Sequence, residues 1–267
     1  MKGALTLKAG TLVDGYNSQD AGDTDVEVNI GTNSILSNSI VLNSGVTVDG
    51  DILVGIGGSV EDVIQDMGAT TDERYAIPEE VEYPVITVPA LTDMSTGISV
   101  HGTTLTIGPA DSGEYSEITL KRAPNPGILE IAGGDVVLHV TGNIDLGQDC
   151  EIIVSEGASL TLYLDGNLVA GNDAGINNKN SPANFKLYGT GGAGQVFGLK
   201  AKGGFYGAVY APNAEITINA GGDIYGSFVG SSFELKSGGN FYYDEALRNT
   251  SVDDVGVRFV IKQWSEE

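Results

Sequence analysis

Three glycine pairs recur at almost constant spacing, and that spacing narrows the folds open to this chain. They are Gly203-Gly204, Gly221-Gly222 and Gly238-Gly239, at intervals of 221 − 203 = 18 and 238 − 221 = 17 residues. Each pair precedes an apolar–aromatic step: Phe205-Tyr206, Ile224-Tyr225 and Phe241-Tyr242. Between the pairs, Glu215-Ile216-Thr217-Ile218 and Ser232-Phe233-Glu234-Leu235 alternate polar and apolar, the period of a strand with one buried face. Such a period is that of one coil of a β-helix, in which short strands meet at corners that glycine turns with the least steric cost. A single coil cannot bury its own apolar face, so coils are stable only when stacked. Stacking in register aligns Tyr206, Tyr225 and Tyr242 as an aromatic ladder.

A looser repeat lies upstream. Val48-Asp49-Gly50-Asp51-Ile52, Val140-Thr141-Gly142-Asn143-Ile144 and Leu164-Asp165-Gly166-Asn167-Leu168 share one pattern, read as strand, corner, strand. The runs Val136–Val140 and Ser159–Leu164 are strand candidates beside it. Coils are therefore expected over 30–56 and 97–243. Apolar residues make up 41% of the chain but come in runs of three to five, which suit strands and are too brief for helices. The predicted fold is all-β: one right-handed parallel β-helix, or β-solenoid, spanning 1–267, its hand taken from the rule for parallel crossovers.

Two segments depart from the pattern. Residues 57–96 read as a short helix, Ser59–Gly68 with Ser59 as N-cap, followed by an extended crossing. Pro78, Pro84 and Pro89 cannot donate to a strand ladder there. Residues 171–183, rich in Asn and Gly, read as a loop. The tail, 244–267, reads as a helical turn at Glu245–Arg248, then a strand Gly256–Ile261 that, with Trp264, caps the open end of the stack.

Charge excludes some functions. With 13 Lys and Arg against 36 Asp and Glu, the net charge of −23 offers no basic footprint for nucleic acid and repels anionic membrane surfaces. No stretch reads as a signal peptide or membrane helix, so direct membrane insertion is not expected; the opening Met1-Lys2-Gly3-Ala4-Leu5 is expected to follow a removed export or anchoring segment. The one cysteine, Cys150, excludes a disulfide framework and reads as a small buried residue.

Within this pattern, Tyr210-Ala211-Pro212-Asn213-Ala214 and Gly221–Gly230 resemble an uncharacterised domain of bacterial surface proteins. That domain lies at the C-terminus of PilX-like, type IV pilus-associated proteins and is related to choice-of-anchor A adhesin-like repeats. Tyr243–Leu247, Gln263-Trp264-Ser265-Glu266, Val13–Ser18 and Gly50-Asp51-Ile52 are similar to further parts of it. The resemblance spans most of the chain. It implies an exported protein at the cell surface or outside it, anchored by an N-terminal helix that this sequence lacks, and it brings no catalytic residues.

The candidate metal site is the acidic opening, Asp14, Asp20, Asp23, Asp25 and Glu27, because Ca²⁺ takes six to eight oxygens and an Asp-rich loop offers them. No EF-hand spacing accompanies it, and a solvated acidic loop is the competing reading. No other cofactor is expected. Catalytic constellations were sought at Asp145 and Asp165, which lie on similar corners, and at His101 and His139, which lack companions; none assembles in the sequence. Thr103, Thr104, Thr106, Thr161 and Thr217 do not recur at one coil position. The function expected is non-enzymatic: a structural or adhesive extracellular domain, associated with a type IV pilus or the cell envelope. Its partners would be other surface or pilus subunits, a glycan or an abiotic surface. The alternative is carbohydrate binding or polysaccharide processing on the solenoid face, with the tyrosine ladder stacking on sugar rings.

Overall fold

The computed structural model describes residues 1–20, 22–23, 26–177, 181–201, 204–220, 222–236 and 239–249. The chain is mostly β, with parallel sheets, one short α-helix and no closed barrel among the described residues. Alternation builds it. Ile216, Ile218, Phe233 and Leu235 point inward and are buried, as their period of two predicts, and Ile216 lies beside Phe233 and Ile218 beside Leu235 in a parallel register.

That register extends into a ladder of ten strands. In spatial order it runs through Ile98–His101, Ile118–Lys121, Ile144–Leu146, Leu168–Ala170, Gln195–Ala201 and the second halves of Phe205–Ala220 and Ile224–Lys236. It then continues through Leu5–Leu7, Ile40–Leu42 and Ile64–Asp66. One apolar column threads it: Ile98, Ile118, Ile144, Leu168, Phe197, Ile216, Phe233, Leu5, Ile40 and Ile64, each buried. At about 4.8 Å between strands, ten strands make a ladder roughly 43 Å long. Burying each such side chain contributes about 1.5–3 kcal/mol, set against the entropy of ordering the chain.

A second ladder runs alongside. It passes through Gly113–Tyr115, Asp135–Val140, Ser159–Leu164, Phe185–Gly189, the first halves of the two long strands, Phe241–Asp244, Leu12–Tyr16 and Thr47–Val48. Two shorter sheets flank these, Thr104–Ile107 with Ile128–Ile131, Glu151–Val154 and Gly175–Asn177, and Val28–Gly31 with Gly50–Val54 and Arg74–Ala76. The long strand Ile224–Lys236 bends at Gly226, where φ is +141° and a Cβ would collide with the Gly207 carbonyl. Gly50 makes the matching bend at φ +147° against Val28.

Spatial order departs from chain order, and here the structure corrects the reading of the sequence. The N-terminal strands lie on the C-terminal ones, Leu5 beside Phe233 and Val13 beside Phe241. Phe241–Asp244 lies inside the second ladder, between Ile224–Lys236 and Leu12–Tyr16, its first three residues within the span 97–243 expected to form layers. The 3₁₀ turn Glu245–Asn249 buries Ala246 and Leu247 there; Gly256–Ile261 and Trp264 lie outside the described residues.

The expected helix shrinks to one turn, Val60–Val63, and Ser59 makes no side-chain cap. Ile64 is claimed instead by the ladder, beside Ile40. A strand, Arg74–Ala76, also falls where the crossing was expected to have begun. Gly175–Asn177 and a 3₁₀ turn at Pro182–Asn184 occupy part of the expected loop 171–183.

Because the first and last strands of the sequence meet in mid-ladder, the chain must travel from one end of the assembly to the other. Residues 77–92, in neither strand nor helix, make that journey. Asn33 holds the start of this strap by both backbone groups of Val81, accepting from its N–H at 3.2 Å and donating to its carbonyl at 2.7 Å. Tyr83 Oη donates to the Met1 carbonyl at 2.6 Å, and Tyr210 Oη to that of Pro84 at 2.8 Å. Ile86 and Val88 pack on Tyr163, Tyr188 and Tyr210. The far end is tied at Glu114, whose N–H donates to Thr92 O at 2.8 Å and whose carbonyl accepts from Met94 N at 3.0 Å.

Candidate functional site

Outward positions of a parallel ladder repeat as files, and two files here are aromatic. In the first, Tyr206, Tyr225 and Tyr242 occupy one register position on successive strands. Their rings stack at 4.5 Å and 7°, then 5.0 Å and 16°, and Tyr16 meets Tyr225 edge-on at 5.6 Å. The expected ladder is thus assembled, half-buried, although Gly203, Gly221 and Gly238 of the glycine pairs lie outside the described residues. Stacking fixes what the file can do. Both faces of Tyr225 are taken by its neighbours, so outer ring faces are left only at Tyr206 and Tyr242, and the side of the file presents ring edges and hydroxyls. Burial pushes the Tyr225 hydroxyl above its ordinary pKa, with its tyrosine neighbours and Asp223 adding to the shift.

The second file escaped the reading of the sequence. Glu114, His139, Tyr163, Tyr188, Tyr210 and Val229 follow one another in register. Their positions face outward, yet Tyr163, Tyr188 and Tyr210 are buried because the strap lies over them. Tyr163 and Tyr188 stack at 5.1 Å. Burial pushes the phenols up, to about 12 for Tyr188 and likewise for Tyr83 above them. The signal was available: His139, Tyr163, Tyr188 and Tyr210 each follow an inward Leu or Val, at spacings of 24, 25 and 22 residues.

At one end of this file, His139 lies between two carboxylates. Nδ1 is 2.9 Å from Glu114 Oε2 and Nε2 is 3.1 Å from Asp165 Oδ2. Asp165 also accepts from the Thr190 hydroxyl, while Asp145 is aligned with Thr119 and Val169, so the two aspartates serve different ladders. With both nitrogens so engaged, the ring has none left to activate a nucleophile. His101 contacts only Ser99 Oγ, at 3.1 Å, among the hydrogen bonds of the described residues. Cys150 is buried, and its thiol faces the Gln148 carbonyl at 3.6 Å.

In the acidic opening, Asp14 accepts from Gly15 N, Asp20 from Gly22 N, Asp23 from Asn17 Nδ2 and Glu27 from Asn29 Nδ2, each from a residue no more than six positions away. Asp25 lies outside the described residues. Among the described residues no three of His, Cys, Asp and Glu gather closely enough to hold a metal. Neighbouring Asp244, missed in the sequence, is fully buried. Its Oδ1 accepts from Ser18 N and Ala246 N, while its Oδ2 has no partner among the described residues.

A shallow, open depression of about 640 Å³ lies against the strap, lined by Lys2 and Glu80 to Val85. Lys2 Nζ sits 5.5 Å over the Tyr83 ring and donates to Asn213 Oδ1. No helix among the described residues is long and apolar enough to cross a membrane. No curated protein and no solved structure matches the chain. Residues 39–250 match the family described as a domain of unknown function (DUF7305), and the chain belongs to that family.

Proposed function

We propose that the chain is a single right-handed β-solenoid acting as a rigid structural or adhesive domain outside the cell, carried by a type IV pilus or the cell envelope. Its work is to present a fixed surface for attachment or for contact with neighbouring subunits. The observation that carries this reading is the ten-strand parallel ladder with a continuous Ile/Leu/Phe column, lashed end to end by residues 77–92. A strap tied at both ends and packed along its middle resists separation of the layers it crosses. A non-enzymatic role is supported by His139, whose two nitrogens are both committed to carboxylates. The stacked tyrosines favour structure over sugar binding, since all but the two outer ring faces of the file are spent on one another.

The test is location followed by attachment. Antibodies against the chain should label intact cells of the source organism, and deleting the domain should reduce attachment without changing growth. Labelling only after lysis would sink the extracellular reading. Binding on a glycan array that Tyr206→Ala and Tyr242→Ala abolish would replace attachment with carbohydrate recognition.

A further inference from the structure

The two ends of the long ladder are built differently. At one end the outermost strands are Ile64–Asp66 and Arg74–Ala76, each paired on one side only. This end carries the usual protection of an open edge: the helical turn Val60–Val63, an Asp66–Arg74 ion pair at 2.8 Å, and Glu61, Asp62, Asp72 and Glu73. At the other end, Ile98–His101 and Thr104–Ile107 are also paired on one side only. Here the protection is missing. Gly97 to Gly108 contains no Asp, Glu, Lys, Arg or Pro, in a chain with a net charge of −23.

Register fixes which groups are left over. Ile98 N and Gly102 N donate inward, to Glu117 O and Lys121 O, so Ser99 and His101 turn their N–H and C=O groups to the open side. On Thr104–Ile107, Thr103 O and Ile107 O accept from Ile128 N and Ala132 N, which leaves the backbone groups of Thr104 and Thr106 outward by the same alternation. The side chains of Ser99, His101, Thr104, Leu105 and Thr106 are exposed. The inward side chains Ile98, Val100 and Ile107 are buried, while Leu105, in register with buried Leu129, is left partly exposed, so this end offers an unpaired backbone rim with one uncovered apolar side chain at the end of the core.

We propose that this end docks a second copy of the chain, edge to edge, across a two-fold axis. A two-fold axis sets Ile98–His101 antiparallel to its counterpart, so that Ser99 and His101 find the same groups they present. The arrangement is self-complementary and closes at two. The stretch Gly97 to Gly108 brings no acidic side chain to the joint, while the exposed Asp93 of the same end lies on the adjoining ladder, bridged to Glu114. The guarded end, with acidic side chains around its rim, cannot be joined so cheaply, which rules out head-to-tail growth.

Sedimentation velocity of the full chain, from low micromolar to near-millimolar concentration at moderate salt, tests this. The expected result is a doubling of mass with rising concentration and no larger species. Ser99→Pro removes an outward N–H without touching the bonds to Ile118–Lys121, and Thr104→Lys puts a charge on the rim at an exposed position outside the buried file. Each variant should stay at the monomer mass with an unchanged circular dichroism spectrum. A wild-type chain that is monomeric throughout would overturn the proposal, as would a dimer that survives both changes or a series growing beyond two. Should Ser99→Pro fail to fold, Thr104→Lys decides the matter alone.

Discussion

Tyr163 carries a phenol that has no hydrogen-bond partner among the described residues, sealed under Ile86 and Val88 with its ring stacked on Tyr188. A buried hydroxyl without a hydrogen bond costs about 1–3 kcal/mol. Tyr163→Phe should therefore leave stability unchanged or raise it in chemical denaturation, whereas Tyr163→Ala should lose about 3–5 kcal/mol through the cavity. The opening carboxylates lead to a different expectation. Asp14, Asp20, Asp23 and Glu27 each already accept a hydrogen bond from a residue close in sequence, so calcium should leave the melting temperature unmoved and chelator should do the same. A rise with calcium, lost in Asp23→Asn, would restore the loop as an ion site. At this scale the sequence was legible wherever a residue's environment comes from its own strand. Ile216 and Phe233 were placed by alternation alone, and Tyr225 was aligned with Tyr206 and Tyr242 by the glycine period. Tyr163 and Asp244 were not, because what buries them arrives from 75 or more residues away in the chain.

The strap is the element that binds the others, and its hold is concentrated at a few points. Between Pro84 and Thr92 the described residues show no backbone hydrogen bond to the ladder, and Ile86 and Val88 carry the contact. Ile86→Asp combined with Val88→Asp should open 85–91 to limited proteolysis while the ladder signal in circular dichroism persists. Resistance equal to that of the wild type would mean that the strap is held otherwise. Alkali tests the same seam chemically. Tyr83 and Tyr188 are pushed up to about 12 by burial, against about 10 for a free phenol. Their neutral form is favoured by the fold, so their contribution is complete below pH 10 and is lost as pH rises through 12. Unfolding should begin in that window, and tyrosine absorbance should report ionisation coincident with it. The prolines at 78, 84 and 89 announced an extended, ladder-free segment. Its path was hidden, because outward Tyr163 and Tyr188 read as ordinary surface until something is known to cross them.

For the whole molecule, the glycine period and alternation disclosed parallel layering, while the order of the layers was invisible. A period says that one coil stacks on another without saying which, and every coil offers a similar apolar column. What decides the order is complementarity at the joint, Leu5 against Phe233 and Val13 against Phe241, together with a strap long enough to return. Phe241–Tyr243, expected within the layers, lies inside the second ladder, and the expected cap strand Gly256–Ile261 lies outside the described residues. The joint can be measured directly. Thr6 and Glu234 are register partners on adjacent strands, with side chains outside the buried column, and neighbours at that spacing suit a disulfide. The Thr6→Cys, Glu234→Cys chain, oxidised and run without reductant, should form the intramolecular cross-link almost completely and melt higher than its reduced form. Free thiols at both positions after oxidation, in a chain that otherwise folds, would contradict the stacking of the N-terminal strands on the C-terminal ones.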